Sequence, residues 1–243
     1  MPIIKLDAID STNSYLKKLM YEEPLEDYTV VVAKHQTNGR GQMGTIWDSE
    51  NNKNLVFSVL KDMSSLNSVP PFFISIVTSL AIVKSLQKFF IPRLNIKWPN
   101  DILSDNKKIC GILIENTIKW SQLSNSIIGV GLNVNQTDFV NLPKASSLKL
   151  ITGKTFDLDE LLQEIMENLQ ASFEILKQNK LDLLKSQYEE VLFRKDKPST
   201  FKDSEGVMFS GIIRSISVTG SLCVLLEDDI IREFDLKEIT LLY

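Results

Sequence analysis

Four short segments carry the side chains that could do chemistry. Gly39-Arg40-Gly41-Gln42-Met43-Gly44 spells G-x-G-x-x-G. A dinucleotide-binding turn needs those glycines to open a helix whose N-terminus holds pyrophosphate. The residues that follow, Thr45 to Asn54, are too polar and turn-like for a buried crossover helix. A phosphate-binding P-loop fails as well, because Gly44 precedes Thr45-Ile46 and not Lys-Ser/Thr. What remains is a glycine loop carrying Arg40, which can offer N–H groups and a guanidinium to an anion, or a plain surface hairpin. Lys97-Trp98-Pro99-Asn100-Asp101 sets polar groups around a proline that ends an apolar run. Asp101 there could be a base or metal ligand, or part of an ordinary turn. In Lys107-Lys108-Ile109-Cys110-Gly111, a lysine precedes a glycine set inside a strand-like run. Such a glycine marks a bulge or the close approach of another group, and the lysine could hold a carboxylate or phosphate, or be a solvated edge residue. Cys110 reads as a small core residue. Gly129-Val130-Gly131-Leu132-Asn133-Val134-Asn135 alternates glycine with apolar residues, which suits a flat ligand against a sheet or a bent strand, with Asn133 and Asn135 on one face.

Read together and in order, the segments are more specific. Ser11-Thr12-Asn13, Gln36, GRGQMGTIW, KWPNDIL, KICGILIE and GVGLNVN, ahead of a short β-rich tail, closely resemble the biotin–protein ligase family (biotin–acetyl-CoA-carboxylase ligase) over essentially the whole chain. The resemblance implies a catalytic domain related to class II aminoacyl-tRNA synthetases, followed by an SH3-like domain. It implies adenylation of biotin by MgATP to biotinyl-5′-AMP, then transfer of biotin to one lysine of a biotin carboxyl carrier protein. Ser11, Thr12 and Asn13 would line the biotin pocket, with Thr12 and Gln36 on the ureido head. Gly39, Arg40 and Gly41 would form a loop that orders over biotin and the adenylate, Arg40 neutralising an anion. Trp47 would pack the ligand site. Lys108 would bridge the biotin carboxylate and the α-phosphate, and Gly111 would let biotin lie on the strand. Gly131 and Asn133 would line the adenylate site, Asn133 toward the nucleotide. Asp101 would orient or deprotonate the acceptor lysine, with Mg²⁺ through water as a further role. No protein metal site is expected. Gln42, Met43 and Thr45 stand where many members carry arginine, so the loop is less basic here.

These side chains need elements to hold them. Asp10 to Tyr21 reads as a helix capped by Ser11, Tyr28–Lys34 and Asn54–Leu60 as strands, and Pro70 to Phe90 as a long apolar helix stopped by Pro92. Leu94–Trp98, Lys108–Glu115 and Ser126–Asn135 read as further strands. Leu158, Leu161, Leu162, Ile165, Leu169, Phe173 and Leu176 recur at helical spacing, and a second helix runs from Leu181 to about Phe193. The polar run Arg194 to Gly206 reads as a boundary before short strands that suit a small SH3-like β-barrel. This is an α+β pattern, since strands and helices do not alternate strictly. The expected division is 1–194, catalytic, and 195–243, SH3-like.

Composition narrows the remaining choices. The 243 residues carry 27 Lys plus Arg against 31 Asp plus Glu, a net charge of −4, which disfavours a general affinity for nucleic acid. Two distant cysteines and one histidine, His35, exclude a disulfide framework and a Cys/His metal cluster. The start lacks an apolar signal segment, and the apolar run Val69–Val83 is short and opens on two prolines, so a cytoplasmic protein without a membrane span is expected. Ser11 comes so early that no DNA-binding domain fits before it, and repressor activity is not expected. A monomer or homodimer fits equally. The rivals are a lipoate–protein ligase or octanoyltransferase, which shares the catalytic fold, an inert adapter, and a DNA-binding regulator.

Overall fold

The computed structural model describes residues 1–66, 69–120 and 122–243, apart from the Met43 side chain. A seven-stranded sheet forms the larger part. Its strands are β1 (Ile3–Ile9), β2 (Val30–Gln36), β3 (Leu55–Asp62), β4 (Leu94–Lys97), β5 (Asp101–Ser104), β6 (Lys107–Lys119) and β7 (Gln122–Leu132), ordered β1-β2-β3-β7-β6-β5-β4. Only β1 and β2 run parallel, joined by helix α1 (Thr12–Glu22); every other neighbour is antiparallel. The long helices α2 (Phe72–Lys88) and α4 (Leu158–Lys177) pack on each other, with α5 (Leu181–Glu190) beside them, while the short α3 (Leu148–Thr152) starts against the chain just after β7. The parity of the strands explains the layering. Phe57, Val59, Cys110, Ile112, Val130 and Leu132 point to the helical layer and are buried with it. The opposite face carries α1, which seals one end of it through Leu16, Val31, Leu60 and Ile127. The rest of that face stays open.

Five antiparallel strands follow, β8 (Pro198–Asp203), β9 (Met208–Ile216), β10 (Leu222–Leu225), β11 (Ile231–Phe234) and β12 (Ile239–Leu242), in the order β11-β10-β9-β8-β12. This arrangement is compatible with an SH3-like domain. It shares one apolar core with the large sheet, since Phe201, Ile213, Ile216 and Leu222 belong to the same cluster as Phe73 and Trp98.

Three details depart from the sequence reading. Ile3–Ile9 is an edge strand, although its alternation Ile4, Leu6, Ala8 is weak beside Lys5 and Asp7. Asp101 opens β5 and does not merely close a turn; the Trp98–Pro99 peptide is cis, and the chain reverses there to pair Lys97 with Asp101. The polar run Arg194 to Gly206 contains β8 and so is not a plain linker.

Candidate active site

The open face of the large sheet carries a cavity of about 440 Å³, within the range of small-molecule sites. Strand register builds its floor. Asp101, Gly111, Gly131 and Val56 lie in one row across four strands. Leu113, Gly129 and Ser58 form the next. Three adjacent glycines therefore make a flat patch where side chains would otherwise stand. Other groups occupy the space so created. A Cβ on Gly131 would overlap the Trp47 indole, and one on Gly129 would overlap the Asn13 carboxamide.

The spacing of Lys108 and Gly111 is explained by a bulge. Three residues apart, they would face opposite sides of a regular strand. Ile102 pairs with Cys110 but Leu103 pairs with Lys108, so Ile109 is an extra residue in β6. The bulge turns Lys108 onto the glycine face while Ile109 and Cys110 both enter the core. Lys108 Nζ then lies 2.6 Å from Asp101 Oδ1 and 5.7 Å from the centre of the Trp47 ring. Lys97 Nζ approaches the other oxygen of Asp101 at 3.6 Å. Burial pushes the Cys110 thiol well above the usual range, so it is inert as a nucleophile.

At the α1 end the cavity is polar and enclosed. Ser11 caps α1 by accepting from Ser14 N. Thr12 donates to Gln36 Oε1 through its backbone N–H at 2.8 Å and its hydroxyl at 3.1 Å. Ser58 Oγ lies 2.7 Å from Thr12 Oγ1 and 2.5 Å from Asn13 Oδ1. Asn13 Nδ2 donates to Glu115 Oε2 at 2.9 Å. Thr12, Asn13 and Ser58 are all nearly inaccessible.

The glycine segment is an ordered hairpin. Arg40 bridges to Ile46, Gly41 N donates to Thr45 O and Trp47 N to Gly39 O, and a 3₁₀ turn spans Gln42–Gly44. Trp47, at its base, lies on the glycine floor, and Arg40 Nη2 pairs with Glu115 Oε2 at 2.7 Å. Arg40, Lys97 and Lys108 against Asp101 and Glu115 leave one net positive charge, which favours an anionic ligand. Thr240 of β12 completes the rim, and the Tyr243 ring lies 5.5 Å from Lys97 Nζ and 4.0 Å from Lys144 Nζ.

The cavity thus gathers Ser11, Thr12, Asn13, Gln36, Arg40, Gly41, Trp47, Asp101, Lys108, Gly111 and Gly131. Gly39 lies beside it, on a smaller cavity beneath the hairpin. Asn133 is not in the wall. β7 ends at Leu132, and Asn133 turns away to donate to Ser146 O at 3.0 Å, just as Asn135 is engaged with the backbone of Phe156. Their expected common face requires a strand that has already ended.

The description "Biotin/lipoate A/B protein ligase family" matches residues 6–133, more than half the chain. The chain belongs to that family. BirA of Bacillus spizizenii, a bifunctional ligase/repressor, is 34% identical over 169 residues, 68% of this chain and 51% of that protein. BirA of Salmonella typhimurium is 29% identical over 240 residues, 97% of this chain and 73% of that protein. The chain therefore spans about half the length of the Bacillus relative. Among solved structures, the biotin protein ligase from Aquifex aeolicus in complex with biotin and ATP aligns with a TM-score of 0.83 at 27% identity, covering 99% of this chain and 98% of that one. In this member of the biotin/lipoate ligase family, the sequence reading passed over several residues in or beside the cavity. Glu115 follows Gly111 and Leu113 at period two, so its face was legible. Ser58 was marked by being the one polar residue between Val56 and Leu60. Gly129 stood in a quoted motif without a role. Thr240 had no local signal, because only tertiary packing brings β12 to the rim.

Proposed function

We propose that this protein is a biotin–protein ligase that adenylates biotin with ATP and passes biotin to a lysine of a biotin carboxyl carrier protein. The observation that carries the reading is Lys108, turned by the bulge at Ile109 onto the same glycine floor that meets the enclosed polar pocket of Thr12, Asn13, Ser58 and Gln36. A flat bicyclic urea has donors and acceptors at one end and a carboxylate at the end of an alkyl chain. The polar pocket fits the first, the cavity between that pocket and Lys108, beside Trp47, fits the body, and Lys108 with Arg40 fits the second.

In the first step a biotin carboxylate oxygen attacks the α-phosphorus of ATP and pyrophosphate leaves. Two anions must meet, so cations at the junction stabilise the approach and the developing charge. Lys108 and Arg40 are the residues we assign to this, with Trp47, itself resting on the floor, packing beside the ligand. Gly39 and Gly41 belong to the covering hairpin. In the second step the carrier lysine nitrogen attacks the acyl carbon, AMP leaves, and the amine loses a proton. Asp101, held between Lys97 and Lys108, is the candidate to orient that amine. Asp101 is the only carboxylate in the lining, and among the described residues no three His, Cys, Asp or Glu groups converge on a metal position. Mg²⁺ would screen the charge of the ATP phosphates here, and Asp101 is the residue that would hold it, through water. We assign 1–194 to catalysis and 195–243 to the SH3-like part. ATP use and two unpaired buried cysteines fit a cytoplasmic setting, and a net charge of −4 disfavours a general affinity for DNA. Among the described residues no helix is long and apolar enough to cross a membrane.

The test is biotin-dependent exchange of labelled pyrophosphate into ATP, run beside lipoate and octanoate. Exchange with biotin alone, lost in Lys108→Ala, is the expected result. Exchange with lipoate or octanoate instead would move the protein to the other branch of its family. No exchange with any of the acids would refute an adenylating enzyme.

A further inference from the structure

Two of the three cations of the cavity, Lys108 and Arg40, each have a close carboxylate of their own, but of different kinds. Lys108 is matched by Asp101, which lies in the cavity floor itself. Arg40 is matched by Glu115, which lies outside the main cavity and beneath the hairpin, on a second hollow of about 280 Å³. Arg40 borders both spaces. Glu115 also receives Asn13 Nδ2 on the same oxygen, Oε2, that meets Arg40 Nη2. One carboxylate therefore ties the hairpin to the polar pocket, and it occupies the guanidinium that an anionic ligand would need.

We infer that Glu115 is a positioning residue: the resting counter-ion that Arg40 exchanges for the anion of the bound ligand. This rests on the proposed reading of the cavity as an anion-binding site. The exchange is plausible energetically. The Arg40 side chain is 40% exposed and that of Glu115 24%, so the pair is screened by solvent and its net worth is that of a surface ion pair. Asn13 holds the carboxylate in place when Arg40 turns away, so Glu115 is not left unpaired at the pocket wall. Glu115 thus ties the hairpin to the pocket wall and weakens binding by the free energy of the pair that must be broken.

Glu115→Gln tests this. The amide keeps an oxygen for Asn13 and removes the charge that holds Arg40. The dissociation constants of biotin and of ATP are measured separately in the wild type, in Glu115→Gln, in Arg40→Ala and in the double variant. Glu115→Gln should tighten binding of at least one ligand by about two- to fivefold, the range of an exposed ion pair. The ligand that responds identifies the anion, carboxylate or phosphate, to which Arg40 turns. In the Arg40→Ala background the same substitution should gain nothing. Unchanged or weaker binding of both ligands in Glu115→Gln, or an equal gain without Arg40, would overturn the inference. Tryptic cleavage after Arg40, followed by the mass of the 1–40 fragment, gives a readout independent of the proposed function. The ligand-free variant should be cut faster than the wild type. If the wild type binds neither biotin nor ATP, the functional reading fails, and this cleavage alone decides whether Glu115 restrains the hairpin: an unchanged rate would refute it.

Discussion

At the scale of single residues, the cavity depends on what is missing from the sheet. Gly131 lies under the Trp47 indole with no room for a methyl group, and Gly129 lies under Asn13. An alanine at 131 would lift Trp47 off the floor without entering the helical core on the other face. Gly131→Ala is therefore expected to cut biotin-dependent pyrophosphate exchange by on the order of ten- to a hundredfold, the scale of an ångström-size misplacement. The melting temperature should move little, because Trp47 is only half-buried. A large drop in melting temperature with exchange retained would contradict this account of Gly131. The residue scale is also where the sequence was most legible. Glycine inside an apolar run requires a neighbour at close range, and the motifs around Gly111 and Gly131 signalled one. The identity of that neighbour as Trp47, some 60 to 85 residues away in the chain, is a tertiary fact. So is the Arg40–Glu115 pair, since nothing local links a hairpin to β6.

At the scale of elements, local rules predict well where the element is long and amphipathic, and poorly where its neighbours decide. α4 was legible from its leucines, and its start is capped by Asp157, which accepts from Asp159 N at 2.8 Å and Glu160 N at 3.0 Å. Asp157→Ala removes that cap far from the cavity. It should cost about 1 kcal/mol, lowering the melting temperature by about 2–4 °C for a chain of this size. Exchange activity should be unaffected, and calorimetry with the exchange assay checks both. The bulge in β6 is the contrary case. K-x-x-G puts its two ends on opposite faces of any regular strand, and only pairing against β5 shows that Ile109 is extra. The expected common face of Asn133 and Asn135 is a related case. Period two was extended past the end of β7, where Asn133 satisfies the Ser146 carbonyl and no longer follows the pleat.

At the scale of the whole molecule, the C-terminal sheet behaves as a wall of the cavity and not as an appendage. Trp98 Nε1 donates to Gly220 O at 2.8 Å, and Gly220, at φ 99°, turns where a Cβ would strike Phe72. This contact fixes the small sheet against the start of α2 and the Lys97–Asp101 turn. It brings Thr240 to the rim and sets the Tyr243 ring over Lys97 and Lys144, edge-on to Phe193 at 5.2 Å. Burial, and then the charge of Asp101, raises the Tyr243 hydroxyl pKa, so the ring stays neutral near these lysines through the physiological range. Its negative face can therefore hold two ammonium groups at the rim of the cavity, which under the proposed function would face the phosphates of ATP. Tyr243→Ala releases both lysines, whereas Tyr243→Phe keeps the ring and its hold. A cation–π contact at a half-exposed site is worth about 0.5–1 kcal/mol, so Tyr243→Ala should raise the KM for ATP about two- to fivefold. The dissociation constant for biotin, whose proposed pocket is at the α1 end, should not change, and Tyr243→Phe should match the wild type. If biotin binding weakened in step with ATP, the aromatic ring would be supporting the fold as a whole. If Tyr243→Phe behaved like Tyr243→Ala, the hydroxyl and not the ring face would be the group that organises the lysines.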